Sequence, residues 1–470
     1  MSMRKISLVL LTAGACISQY IYAQEPAAKH EFTIAQCVDY AKKNNSQVKN
    51  ALTDYKIQQQ VNRSYTALAY PTISASAGTQ INPNVGVQVF PNFIAAGVYG
   101  VLTGEGVKDG NGDPIEAPSD FGYINAQFGS KWIANAGVSL SQIVFDGQVF
   151  VGLQARQAAL DFQTKNITVT EEQIKANIYK IYYQLVIANK QVEVIDYNID
   201  LVSKNLHDFK EYYKNGFIEK LDIDKATVQL NNLQTEKQKI LNTISNGYLG
   251  LKLLMGMPAN DELVLTEKID ESGIKSNLLD DSAYKYEDRP EYQYAQAGKT
   301  LNEYNVRRYK LAQIPSIYLN SAYTKTAQRN DFSFFGKGSW FTQSYIGLSI
   351  NATLFSGFAK KASLEQAKLE LEKTNTSIDA LKLLIDNEAI AAKTNYTNAV
   401  LTMDAQKQNQ DLAQQVYDKA RKKYDAGTGS QIEITQAQTD LRTAENNYIT
   451  AMYEAALAKV DYLKATGKLP

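Results

Sequence analysis

Two stretches decide the fold, because one is an echo of the other. GVSLSQIVFDGQVFVGLQARQAAL at 137–160 lies over GLSINATLFSGFAKKASLEQAKLE at 347–370, an offset of 210 positions. Farther along, YKNGFIEKLDIDKATVQL at 213–230 lies over YDAGTGSQIEITQAQTDL at 424–441, an offset of 211. Upstream, YPTISASAG around Pro71 resembles IPSIYLNSA around Pro315 at an offset of 244, so the first copy carries extra residues within 82–120. Internal repetition on this scale is read before anything else. The chain is a duplicated unit rather than the three domains that its 470 residues would otherwise suggest.

Each copy spells helix, strand, loop, strand, very long helix, tight turn and helix. In repeat 1 (24–256) these fall at helix 40–70, strands 71–81 and 123–145, long helix 149–214 and return helix 222–254. In repeat 2 (289–467) they are helix 287–314, strands 315–325 and 340–355, long helix 359–425 and return helix 432–466. A linker at 257–288 joins the copies, with ELVL at 262–265 as a short strand. Proline is missing between Pro118 and Pro258 and again between Pro315 and Pro470, which leaves both hairpins free of the strongest helix breaker.

The long helices carry a 4,3 hydrophobic spacing, Ile174, Ile178, Ile181, Leu185, Ala188, Val192, Ile195, Ile199, Val202, Leu206, Phe209 and Tyr213. That is the period of a coiled-coil seam. A helix of this extent would run about 100 Å at 1.5 Å per residue. The strands alternate instead. Ile346, Leu348 and Ile350 oppose Gly347, Ser349 and Asn351, giving one apolar and one small polar face. Trp132, Phe145, Trp340 and Phe355 stand at two levels, as in the aromatic girdles of an outer-membrane barrel. Four strands cannot close a barrel. Two chains would fill their own lumen, whereas three give a 12-stranded β-barrel with room for a pore. The fold class expected is a mixed α and β membrane protein, a trimeric barrel with four strands per chain continuous with a long antiparallel α-helical coiled-coil barrel.

Residues 1–23 read as a signal peptide, with Arg4 and Lys5 before the apolar run Ile6–Ile17 and Ala23 at the cut. A rival reading lipidates Cys16, although Ala stands where a lipobox has Leu. Lys plus Arg and Asp plus Glu are 49 each, which argues against a nucleic-acid partner. His30 and His207 belong to no metal spacing, two Cys build no scaffold, and Cys37 reads as a packed thiol. No GxSxG, P-loop or HExxH occurs, so neither an enzyme nor a cofactor is expected. DGNGD at 109–113 lacks the EF-hand spacing and reads as surface loop. Residues 82–120 are read as an extracellular loop.

The order of elements, together with LFSGFAKKASLEQAKLE at 354–370, RPEYQYAQAG at 289–298 and YDAGTGSQIEITQAQTDLRTAENNYITAMYEAALAKVDYLKATG at 424–467, resembles the TolC family of outer-membrane efflux proteins. FTIAQCVDYAKKNNSQV at 32–48 is similar to that family's opening helix. The resemblance implies a homotrimer set in outer-membrane lipid, a tunnel across the periplasm, and docking to a periplasmic adaptor (membrane fusion) protein and an inner-membrane transporter. It also implies roles. Asp222 and Glu433 match the acidic constriction, Tyr424 matches a Tyr holding the closed gate, and Gly216, Phe217, Gly427, Thr428, Gly429 and Ser430 form the adaptor-docking tips. Gly429 and Gln436 depart from the pattern, standing where the best-known member has a locking Arg and a second acid. The alternative expectation is a periplasmic coiled-coil scaffold without a pore. Read from the residues alone, Asp222 and Glu433 are also ordinary first-turn acids that complement a helix dipole.

Overall fold

The computed structural model describes residues 29–276 and 284–470; the expected leader, Cys16 included, lies outside them. The chain divides into two compact units. One takes residues up to Gln59, Gln157–Asn302 and Glu370–Pro470; the other takes Gln60–Arg156 and Glu303–Leu369.

The first unit is helical. Its elements are β1 (Lys29–Phe32), α1 (Ile34–Asn44) and the start of α2 (Ser46–Ala67). Most of the long helix α4 (Gly147–Lys214) and its return α5 (Lys220–Met255) follow. Then come β6 (Glu262–Leu265), α6 (Glu271–Lys275) and the start of α7 (Pro290–Leu311). Most of the long helix α8 (Ala359–Asp425) and its return α9 (Gln431–Ala465) complete it. The core collects one stripe from each helix: Ile34, Cys37 and Ala41 of α1, Ile178, Tyr182 and Leu185 of α4, Tyr396 and Met403 of α8, and Met452 and Ala455 of α9. Cys37 is sealed within it, and burial pushes its thiol up to about 12. β1 and β6 pair in parallel beside it. The 4,3 stripe of α4 stays buried or half-buried from Ile174 to Phe209, but its expected last member, Tyr213, is exposed beside the turn.

A paired device closes the C-terminal ends of the return helices. Gly256 after α5 and Gly467 after α9 both take a left-handed backbone, φ 70° and 69°. A Cβ on Gly256 would sit 2.4 Å from the Asn44 carbonyl oxygen, and one on Gly467 2.6 Å from that of Asp288. Beside each stands a buried polar side chain. Asn45 Nδ2 donates to the Leu254 carbonyl at 2.6 Å, and the Arg289 guanidinium to the Ala465 carbonyl at 2.9 Å. Orphan carbonyls at a helix end are thereby satisfied away from water.

The second unit is built on the antiparallel sheet β2 (Thr72–Ile81), β5 (Trp132–Phe145), β7 (Ser316–Arg329) and β8 (Phe341–Asn351), in the order β2-β5-β7-β8. Register makes the alternation continuous across strands. Ala75, Val138, Tyr323 and Ser344 align, as do Ile73, Leu140, Ser321 and Ile346, so one face is largely aliphatic. The other carries Thr72, Ser141, Asn320 and Gly347, bridged by Ser141 Oγ to Asn320 at 3.1 Å and Asn320 Nδ2 to Ser349 at 2.9 Å. Among the described residues both β2 and β8 are free edges.

Several boundaries differ from the sequence reading. The segment 82–120 is not a plain loop, because it contains β3 (Val87–Pro91) and α3 (Phe93–Gly104), and β3 pairs with β4 (Tyr123–Gln127). The strand expected over 123–145 is cut between Gln127 and Trp132, where Gly129 has φ 137°. β8 stops at Asn351, so Trp340 and Phe355 flank the strand instead of lying in it. Trp132 and Phe145 sit at the two ends of β5. The opening helix is broken at Asn45, whose side chain caps Gln47 at 2.7 Å and starts α2 afresh.

Candidate functional site at the helix-hairpin tips

Both hairpins turn on the same backbone device. After α4, the Gly216 N–H donates to the Tyr213 carbonyl and the Phe217 N–H to that of Tyr212; Gly216 has φ 78°. After α8, Gly427 N–H donates to Tyr424 and Thr428 N–H to Lys423, with Gly427 at φ 74°. This pairing of 6→1 and 5→2 bonds requires a left-handed residue, which glycine supplies without strain.

Beyond the glycine the turns diverge. In the second, Gly429 N–H and Thr428 Oγ1 also reach the Lys423 carbonyl, at 3.0 and 3.2 Å. A Cβ on Gly429 would stand 2.8 Å from the Tyr424 nitrogen, so the strap excludes any side chain there. Ser430 Oγ accepts the Glu433 N–H at 3.2 Å and caps α9. Across the turn, Lys423 Nζ pairs with Glu433 Oε1 at 3.1 Å. The first turn lacks these features: Glu219 makes no side-chain cap, Phe217 stands out exposed, and Asp222 pairs along its own helix with Lys225 at 3.8 Å.

Asp222 and Glu433 are not brought together within one chain. Asp222 lines a cavity of about 210 Å³ with Asn205, Gln431 and Gln438, while Glu433 lies in a shallower groove with Lys419, Lys423 and Asp440. Tyr424 is half-buried against the cluster Tyr417, Ala420, Ile434, Ala437 and Leu441. Burial raises its phenol above the usual range, helped by Tyr212 and the carboxylates of Asp222 and Asp208 and opposed by Arg421.

Near the tips, Arg421 ties the second hairpin to α4. From α8 its guanidinium donates to Asn205 Oδ1 of α4 at 2.7 Å, lies 3.8 Å from Asp208, and is held by Asp425 at 3.2 Å on its own helix. Asn205 Nδ2 in turn donates to Gln438 Oε1 of α9 at 3.3 Å. One heptad away, Asn198 Nδ2 donates to Glu445 at 2.9 Å. All four of these α4 and α9 side chains are buried. Burial pushes the Glu445 carboxyl above its usual range, partly offset by the Asn198 bond. Two polar rungs therefore cross the seam between α4 and α9, and a buried polar rung fixes register. The signal was in the sequence: Asn198 and Asn205 stand seven apart, as do Gln438 and Glu445.

Residues 286–468 match the family model described as outer membrane efflux protein. The outer membrane protein TolC of Vibrio cholerae is 18% identical over 342 residues, covering 72% of this chain and 77% of that one. The second half of this chain is thus similar to the outer membrane efflux protein family. Among solved structures, the CusC channel aligns over 95% of both chains with a TM-score of 0.72 at 14% identity. The outer membrane channel CmeC of Campylobacter jejuni aligns over 95% of this chain and 90% of its own, with a TM-score of 0.71 at 17% identity. These likenesses establish the fold. The likeness to outer-membrane channels favours a channel reading over a pore-free periplasmic scaffold.

Proposed function

We propose that three copies of this chain form the outer-membrane channel-tunnel of a tripartite export system, gated where the two hairpins turn. The observation that carries this is the open sheet. Four strands with one aliphatic and one small polar face, and both edges unpaired, form a third of a twelve-stranded barrel with an aqueous lumen. Trp132 and Trp340 at one end of the sheet, and Phe145 and Phe355 at the other, serve as its interfacial anchors in outer-membrane lipid. Duplication of a single unit is supported by the matched device at Gly256 and Gly467, where equivalent glycines lie 211 positions apart and Asn45 and Arg289 lie 244 apart.

The helical hairpins continue as a periplasmic tunnel. Threefold repetition turns Asp222 and Glu433 into rings of acid at its closed end, and Lys423 and Lys225 temper their charge. Tyr424 packs the inner hairpin, and Arg421 bonds it to α4. Gly429 has no side chain to act as a lock, so Arg421 takes that part. The exposed turns Gly216–Phe217 and Gly427–Ser430 meet the periplasmic adaptor, which presents cargo from an inner-membrane transporter. Opening is a shift of the second hairpin toward a state in which the bonds of Arg421 are released, selected by contact with the adaptor. Cargo is a solute, a drug or a secreted protein, chosen by the pump.

Single-channel recording of Glu433→Gln in planar bilayers, with and without divalent cations, tests the ring. Weaker cation block is expected, and unchanged block would remove Glu433 from the constriction. Heat-resistant trimers in outer-membrane fractions are expected on gels.

A further inference from the structure

Two apolar features at one end of the sheet are left exposed among the described residues. The ladder Ile81–Trp132–Arg329 places the insertion 82–131 and the β7–β8 connection 330–340 at the same end. The strand order places them at opposite edges. The insertion leaves from edge strand β2, and the connection enters edge strand β8.

The insertion has no charged residue from Asn82 to Gly104. Its helix α3 is capped by Asn92 and fixed on one side by Tyr99 against Phe121, at 5.6 Å between ring centres. The other side exposes Phe93, Ile94, Val98 and Val101. On a helix the surface neighbours of position 97 are three and four residues away. Those around Gly97 are Phe93, Ile94, Gly100 and Val101, and a Cβ on Gly97 would meet nothing within 4 Å. This is an apolar-rimmed hole with a glycine floor.

The connection offers the matching knob. Phe332 packs on Trp132 at 5.0 Å, Phe334 is buried with Ala134 and Ala327, and the Arg329 guanidinium lies over the Phe334 ring at 5.4 Å. These contacts hold the loop while Phe335 projects from it, 96% exposed. An aromatic ring fixed outward in this way is an anchor awaiting a pocket.

Resting on the trimer proposed above, we infer that Phe335 of one copy seats in the Gly97 hole of the next. Closing the barrel pairs edge β8 of one copy with edge β2 of its neighbour. That brings the connection of one beside the insertion of the other. The contact is head-to-tail, so in a threefold ring each copy gives one knob and one hole and none is left over. The latch ties the copies together beyond the last barrel hydrogen bond.

Cysteines introduced at Gly97 and Phe335 test it in native outer membranes under mild oxidation, with Cys37 buried and out of reach. Gly97→Cys with Phe335→Cys is expected to give covalent dimers and trimers, and either alone none. Gly97→Leu fills the hole while favouring the helix. It is expected to leave a folded chain whose trimers dissociate at lower temperature. Heat-resistant trimers without cross-linking in the double variant would overturn the latch and leave the trimer standing. A chain running only as monomer would overturn both. If a fluorescent probe on the new thiol of the Gly97→Cys variant were quenched by nitroxide-labelled lipid, the hole would belong to the membrane and the latch would likewise be overturned.

Discussion

The two hairpin tips share one backbone geometry and differ in almost everything built on it. The first turn is a plain left-handed cap with an exposed Phe217 and an uncapped helix start at Glu219. The second is strapped three times to the Lys423 carbonyl, capped by Ser430, pinned by Lys423–Glu433 and bonded to α4 through Arg421. Shared backbone geometry keeps both turns tight. The polar contacts of the second turn reach across it and to α4, whereas those of the first, Lys214 to Glu211 and Asn215 Nδ2 to the Glu211 carbonyl, stay on its own side. The two turns thus share a backbone and differ in restraint, with side-chain chemistry carrying the division.

The largest effect should come from removing the restraint itself. Arg421→Ala should cost about 1.5–3 kcal/mol by the usual worth of charged hydrogen bonds, toward the lower end because the side chain is 25% exposed. In a double-mutant cycle with Asn205→Ala most of that loss should be shared, since the two are in contact. Independent, additive losses measured by denaturant unfolding would separate the pair.

The buried rung at Glu445 gives a pH signature that the first hairpin should lack. The folded chain holds this proton more tightly than the unfolded one. The contribution is therefore complete below the ordinary glutamate value of 4.5 and is lost as pH rises through the elevated folded value. Glu445→Gln keeps an oxygen for Asn198 and should raise the melting temperature at neutral pH, the gain vanishing in acid. A gain that persisted at low pH would trace to packing instead.

Glycine replacements sharpen the comparison. Gly216→Ala and Gly427→Ala should each cost about 1–2 kcal/mol, the penalty for a left-handed residue with a Cβ. Gly429→Ala should add a further loss from its 2.8 Å approach to the Tyr424 nitrogen, though its own backbone is not left-handed. Smallest of all, Ser430→Ala should cost about 1 kcal/mol as a lost cap, whereas Glu219→Ala should be nearly silent. Thermal unfolding of these variants in detergent separates the cases.

Period and repetition made much of the fold legible: the seam from Ile174 to Phe209, the alternation around Leu348, and the turns at Gly216 and Gly427 all stand out in one dimension. Other features depend on contacts that do not. Arg421 meets Asn205 across 216 positions, and nothing beside either residue marks the pairing. Gly429 looks like a missing side chain in the sequence, yet in space it is a close approach of backbone to backbone. The helix in the insertion was hidden by the glycines and prolines around FIAAGVYGVL. The acids Asp222 and Glu433, alike in sequence, occupy separate grooves because Ile432 and Gln436 lie against both.

If Arg421 holds a closed trimeric channel, as proposed, single-channel conductance of Arg421→Ala beside the unaltered protein will show it. Small, mostly closed currents are expected for the unaltered protein, and larger, longer openings for the variant, with both running as heat-resistant trimers. Identical currents from two intact trimers would contradict it.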